Sequence, residues 1–259
     1  MPAFSSSTPK FPGGYRLVRL ETVDSTNAEA RRRAVAGEPG PLWIWSARQS
    51  AGRGRSGRAW QSQPGNLFAS LLIGLRCPLR TASQVALLAG VAAFDTVAKF
   101  LPDDRSELLL KWPNDVLLKG GKVAGMLLES GNETAPNRCN VVIGTGINLS
   151  TYPDGMAQPA TSLAAHGTVI SPATALETLA AVTDTWLTRW GEGVSFPAVR
   201  RAWLDRAGPT GRPLRVRLQD QEEAEGTFAG LDSGGALRLL MSDGAERRVA
   251  AGDVFFANT

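Results

Sequence analysis

The chain has 259 residues, enough for one large domain or for a domain plus a small module. With 43% hydrophobic and 20% charged residues, its composition excludes a disordered chain. The net charge of +4 is mild and uneven: residues 209–259 hold six arginines against eight acids, so the positive excess sits in the first 208 residues. That balance alone is a weak argument for a nucleic-acid partner.

No apolar run reaches the roughly 20 residues of a membrane span. The start, MPAFSSSTPKFPGG, has no apolar core of a signal peptide and reads as a flexible tail over residues 1–14. Two cysteines, Cys77 and Cys139, make neither a disulfide framework nor a metal cluster, which fits a reducing compartment and a cytoplasmic location. A single histidine, His166, excludes multi-histidine zinc sites and any mechanism that pairs two histidines.

In chain order, YRLVRLETV (15–23) alternates as a strand does. A helix follows, with Thr26 and Glu29 as a capping box and Gly37 just past its end. PLWIWSA (41–47) and NLFASLLIGL (66–75) read as buried strands. Thr81 and Gln84 form a second capping box, opening a helix to about Leu101. ELLLKW, KVAGMLLES and CNVVIGTGINLS read as three strands, separated by the turn signals PND, KGG and GNETAPN. Ser171-Pro172 starts a helix to about Trp190, and a shorter helix spans roughly 196–206. AGPTGRP (207–213) marks a domain boundary, beyond which five short alternating segments predict a small β-barrel.

Four stretches could carry chemistry. QSAGRGRSGRAW (49–60) interleaves Arg53, Arg55 and Arg58 with Gly52, Gly54 and Gly57 and stops at Trp60. Guanidinium groups beside unshielded backbone N–H groups suit phosphate or carboxylate. A solvated surface loop and a nucleic-acid contact remain open for it, and Trp60 reads as a core anchor. KWPNDVLLKGGKVAG (111–125) presents Lys111, Asn114, Asp115 and Lys122 at strand ends, where sites are built. Pro-Asn-Asp is also plain turn chemistry. VDSTN (23–27) is a helix N-terminus with free N–H donors. GTGINLS (144–150) is either a glycine bulge or a place of close backbone approach.

Taken together and in this order, V-D-S-T-N, G-R-G-R-x-G-R-x-W, K-W-P-N-D, K-x-A-G and G-x-G-I-N resemble the biotin protein ligase (biotin–[acetyl-CoA-carboxylase] ligase) family, from about Leu17 to Ala257. The resemblance implies an α+β fold. Residues 15–207 would form a mixed β-sheet catalytic domain of the class II aminoacyl-tRNA-synthetase-like kind, and 208–259 a small Src-homology-3-like β-barrel. It implies joining biotin to ATP as biotinyl-5′-adenylate, then transfer of biotin to a lysine of a biotin carboxyl carrier protein or domain. ATP and Mg²⁺ would be co-substrates, with no tightly bound prosthetic group.

By the same resemblance, the biotin-binding residues are Ser25, Thr26, Asn27, Gln49, Gly52, Arg53, Gly54, Arg55, Trp60, Lys122 and Gly125. ATP would be held by Arg58, Lys111, Asn114, Asp115, Lys122, Gly144, Gly146 and Asn148. Lys122, Arg55 and Asp115 would be catalytic, with Asp115 also the candidate Mg²⁺ ligand. The adenine-stacking group is expected near 160–167. Only 22 residues precede Val23, which predicts no winged-helix DNA reader and no repressor function. No membrane partner is expected, and a sheet-edge homodimer is an arrangement the chain could use. A lipoate ligase shares the adenylation logic, but the polar Ser25, Thr26 and Gln49 set suits a ureido ring better than a dithiolane. A nucleic-acid module would need a wider basic face than one loop supplies.

Overall fold

Alternation along the central strands decides which side of the sheet is core and which is site. In the computed structural model, which describes residues 9–101, 105–155, 158–218 and 222–256 (backbone alone at 131–134), seven strands form one mixed sheet. They are β1 (Arg16–Val23), β2 (Leu42–Gln49), β3 (Leu67–Leu75), β4 (Leu108–Lys111), β5 (Asp115–Leu118), β6 (Gly121–Ala135) and β7 (Arg138–Ile147). Their order is β1-β2-β3-β7-β6-β5-β4. Only β1 and β2 pair parallel.

Side chains of a strand point alternately to its two faces. On one face Trp43, Trp45, Leu67, Leu71, Val141 and Ile143 join the main core. That core is covered by α3 (Val85–Ala98), α4 (Pro172–Trp190) and α5 (Phe196–Leu204). Each fully buried large side chain there contributes roughly 1.5–3 kcal/mol of hydrophobic stabilisation. On the other face Leu42, Ile44, Leu72 and Val142 pack under Ala30 of α1 (Thr26–Val35). Further along that second face the apolar residues give way to Ser70, Gly125, Gly144 and Gly146, and a cavity opens.

The C-terminal strands are β8 (Pro213–Arg217), β9 (Glu223–Leu231), β10 (Leu237–Leu240), β11 (Glu246–Val249) and β12 (Asp253–Phe256), in the order β11-β10-β9-β8-β12. All five are antiparallel. β11 and β12 stand at the two edges, and no pairing among the described residues closes the sheet into the expected barrel. Leu214, Val216, Phe228 and Val254 belong to the main core, and the Trp112 indole N–H donates to the Gly235 carbonyl at 3.3 Å.

Several local expectations change. α1 is capped by Ser25, whose side chain accepts from the Ala28 N–H; Thr26 turns instead to Gln49, and Glu29 pairs with Arg32 and Arg33. Thr81 lies inside a short helix, α2 (Leu79–Ala82), that starts after Pro78. Gln84 does not cap with its side chain, because its Oε1 accepts the Trp190 indole N–H at 2.9 Å. Asp115–Leu118, not read as a strand in the sequence, form β5. The run GNETAPN is mostly strand: β6 continues to Ala135, and the reversal occurs at Pro136-Asn137, where Asn137 takes a φ of 57°. Asparagine tolerates that left-handed conformation better than most residues.

Leu79–Ala98 is long and apolar enough to cross a membrane by composition, at a mean hydropathy of 1.3, but 67% of it is buried inside the fold. Of the expected tail, 1–8 lie outside the described residues. Within 9–14, Pro9 is buried, Phe11 packs against the core and the Lys10 N–H donates to Glu177 of α4.

Candidate active site

A cavity of about 470 Å³ opens on the second face of the sheet, roofed on one side by the C-terminal strands. Its size is ordinary for a small-molecule site. Its walls bring together every predicted site residue except Gly52. Gly52 acts one layer back. A Cβ there would stand 2.6 Å from the Trp60 carbonyl oxygen, so only glycine lets the two strands of the Gly-Arg loop close on each other. The Trp60 N–H donates to the Gly52 carbonyl at 2.9 Å across that neck.

One end is polar and uncharged. Gln49 Oε1 accepts from the Thr26 N–H at 2.8 Å and the Thr26 hydroxyl at 3.1 Å, while Gln49 Nε2 donates to Ser62 at 3.0 Å. Ser25 sits beside them, buried at the N-terminus of α1.

Asn27 lines the cavity and also holds the frame. Its Oδ1 accepts from Ser70 at 2.6 Å, and its Nδ2 donates to Glu129 at 2.7 Å and to the Leu127 carbonyl at 3.3 Å. Its amide is thus committed to holding α1 on the sheet. Gly144 makes room for it: a Cβ at 144 would lie 2.2 Å from Asn27 Oδ1. β7 pairs without a break through Gly144 and Gly146, so the glycines mark close approach and not a bulge. We therefore expect Gly144→Ala to lose about 2–3 kcal/mol, as overpacking and a broken buried hydrogen bond together dictate. A thermal melt within a degree of wild type would refute this reading of Asn27.

Trp60 forms the floor. Its ring lies on Gly146 and Gly125, where added Cβ atoms would be 2.5 and 2.9 Å from it. Lys122 Nζ stands 5.2 Å from the ring centroid, within cation–π range.

The charged centre is one carboxylate between two ammonium groups. Lys122 Nζ is 2.6 Å from Asp115 Oδ1, and Lys111 Nζ is 3.3 Å from Asp115 Oδ2. β4 and β5 pair Lys111 opposite Asp115, and the tight return into β6 delivers Lys122. Burial alone would raise the Asp115 pKa, but the charges of Lys122 and Lys111 outweigh it and hold the carboxyl below its ordinary value. Burial pushes the Lys111 ammonium below its ordinary value, with Asp115 opposing. A carboxylate so depressed is a poor proton acceptor near neutral pH. Both oxygens are already taken by lysines, which does not fit a resident Mg²⁺ at Asp115. Among the described residues no group of three or more His, Cys, Asp or Glu could hold a metal ion.

Asn114 and Asn148 hold backbone. Asn114 Nδ2 donates to the Met126 carbonyl. Asn148 Nδ2 donates to the carbonyls of Thr161 at 3.0 Å and Lys122 at 3.3 Å, clamping residues 159–161 against the start of β6.

The Gly-Arg loop forms a small hairpin whose tip, Arg55–Gly57, is a single 3₁₀ turn. The C-terminal sheet grips it. Arg55 Nη1 donates to the Gly252 carbonyl at 3.1 Å, and Arg58 Nη2 reaches Asp253 Oδ1 at 2.6 Å. Asp253 is one of several wall residues that sequence reasoning missed, with Arg215, Arg217, Phe255, Pro153 and Gln158. A signal existed for two of them. Arg215 and Arg217 alternate with buried Leu214 and Val216, which puts both arginines on one face of β8.

Comparison with known proteins bears on the family and the fold. Residues 20–148 match the Biotin/lipoate A/B protein ligase family and residues 210–257 match the Biotin protein ligase C terminal domain. The chain is 36% identical to the biotin--[acetyl-CoA-carboxylase] ligase of Paracoccus denitrificans, covering 92% of this chain and 99% of that one. It is 31% identical to the enzyme of the same name from Mycobacterium tuberculosis, covering 93% and 89%. Among solved structures, the biotin protein ligase of Aquifex aeolicus in complex with biotin and ATP shares the fold, with a TM-score of 0.76 over 94% of this chain and 99% of that one at 24% identity. Matched in both its sheets and aligned along nearly its whole length with ligases of that name, this chain belongs to the biotin protein ligase family.

Proposed function

We propose that the protein activates biotin with ATP and transfers it to a lysine of a biotin carboxyl carrier domain. The observation that carries the reading is that one cavity brings together an uncharged hydrogen-bonding group at Ser25, Thr26 and Gln49, the pair Lys122 and Lys111 around Asp115, and the arginines of the loop. A ureido ring fits the first group and a carboxylate the second. A polyphosphate fits the third.

In the first step a biotin carboxylate oxygen attacks the α-phosphorus of ATP. The new C(O)–O–P bond forms, the Pα–O bond to the β-phosphate breaks, and pyrophosphate leaves. Two anions must meet, so fixed cations lower the barrier. Lys122 is the group suited to the meeting point, and Arg53, Arg55 and Arg58 to the phosphates. Mg²⁺ enters only as the cation that accompanies ATP. In the second step the uncharged carrier amine attacks the carbonyl carbon, the C–N bond forms, AMP leaves and the nitrogen loses a proton. Asp115 serves as the electrostatic partner of the two lysines and not as the base. Its depressed pKa supports that division.

The loop also shields the anhydride from water. Arg55→Gly removes the guanidinium that ties the hairpin to Gly252, so adenylate should escape and label bystander lysines. Biotin blotting of mixed proteins checks this, and an unchanged blot would count against the lid. Pyrophosphate release that requires both biotin and ATP tests the proposal as a whole.

A further inference from the structure

Ser70 stands behind the uncharged end of the cavity without lining it. It lies on β3 opposite Gly144 of β7 and is fully buried. Its hydroxyl has two neighbours, Thr26 Oγ1 at 2.8 Å and Asn27 Oδ1 at 2.6 Å, and one proton to give. The far side of Asn27 decides where that proton goes.

The Asn27 Nδ2 meets the Glu129 carboxylate at 2.7 Å and the Leu127 carbonyl at 3.3 Å, and both of those groups only accept. The Asn27 amide is thereby held with its Oδ1 toward Ser70. That oxygen has no proton, so it must receive the one on Ser70, and Ser70 is left as an acceptor toward Thr26. The single Thr26 proton is drawn to Ser70 at 2.8 Å and to Gln49 Oε1 at 3.1 Å, so none remains for a ligand. What Thr26 offers the cavity is lone pairs. A directed chain of hydrogen bonds therefore runs from Glu129, ion-paired to the exposed Arg31 at 3.2 Å, through Asn27 and Ser70 to the cavity wall.

We propose that Glu129 is a positioning residue for substrate binding: through Asn27 and Ser70 it keeps the Thr26 hydroxyl an acceptor, set to take a ureido N–H. This rests on the biotin reading above. Glu129 does not line the cavity and acts only through the side chains between. Replacing the carboxylate by a carboxamide of the same shape inverts the chain. The Gln oxygen stays with Arg31, its nitrogen faces Asn27, and the Asn27 amide turns over to accept from it. Ser70 then donates to Thr26 and takes a lone pair that the substrate needs.

The test is calorimetric titration with biotin and biotin-dependent pyrophosphate release for wild type, Glu129→Gln, Arg31→Ala and the double variant Glu129→Gln/Ser70→Ala, each checked for folding by a thermal melt. Glu129→Gln should raise the Kd and KM for biotin about tenfold, the worth of one hydrogen bond, with kcat and the KM for ATP within about twofold. Arg31→Ala leaves the chain intact and should keep biotin affinity within about twofold. Adding Ser70→Ala to Glu129→Gln removes the hydroxyl that would donate to Thr26, so biotin affinity should return to within about threefold of wild type. Wild-type biotin affinity in Glu129→Gln would overturn the proposal. So would a further loss in the double variant, which would mean that the chain only holds the frame, or an Arg31→Ala defect equal to that of Glu129→Gln, which would place the effect in the ion pair. A wild-type protein that binds no biotin would overturn the parent reading, and the wild-type arm alone reports that failure.

Discussion

Replacing Lys122 with alanine should cut biotin-dependent pyrophosphate release by about 10²–10³ in kcat/KM while the protein stays folded. Two features set that expectation. Lys122 lines the cavity with its Nζ 2.6 Å from Asp115 and 5.2 Å from the Trp60 ring centroid, where the carboxylate and the α-phosphate would meet. Its charge is worth most when negative charge gathers in the transition state, so kcat should fall more than biotin affinity does. The side chain is 26% exposed, and Asp115 keeps Lys111 as a partner when Lys122 is gone, so the melting temperature should move little. Activity within fivefold of wild type would remove Lys122 from the catalytic role.

The second large effect is on stability. Asp115→Asn should destabilise the fold by about 3 kcal/mol, because it leaves the buried Lys111 ammonium facing a neutral group. Lys111 is only 6% exposed, so water cannot replace the lost charge. The pH dependence has a defined sign. The folded-state pKa of Asp115 is depressed, so its contribution is present above the unfolded value of about 3.9 and fades as pH falls through the folded value. Denaturant titrations of wild type and Asp115→Asn should therefore differ by a constant amount near neutrality and converge below about pH 4. A gap that widens in acid would contradict the charge arrangement.

How much of this was legible in the sequence depends on how local each cause is. β1, β2 and β3 were plain because alternation or an unbroken apolar run is a local property. β5 was hidden because Asp115–Leu118 is four residues long and framed by turn signals on both sides. The cap of α1 slipped by one residue because Ser25 and Thr26 both qualify by type; Gln49, 23 residues away, claims the threonine.

The site shows the same division. Motif order placed the walls of the cavity, but it could not say which residues face a ligand and which hold the frame. Asn27 and Asn148 look like ligand-binding amides in sequence and both line the cavity, but the sequence did not show that Asn27 also bonds Ser70 and Glu129 or that Asn148 Nδ2 also holds two backbone carbonyls. Between a bulge and close approach the sequence could not decide at Gly144 and Gly146, because the side chains that need their space, Asn27 and Trp60, are far off in the chain. The grip of Asp253 on Arg58 spans 195 residues and has no local signature.

The central claim is that this cavity takes biotin and ATP. Calorimetric titration of the protein with biotin, and with lipoate as control, in the absence and presence of ATP tests it most directly. The account predicts tight biotin binding, little or no heat from lipoate, and turnover to pyrophosphate when ATP is added. Heat from lipoate with silence toward biotin would contradict the assignment of Ser25, Thr26 and Gln49 to a ureido ring.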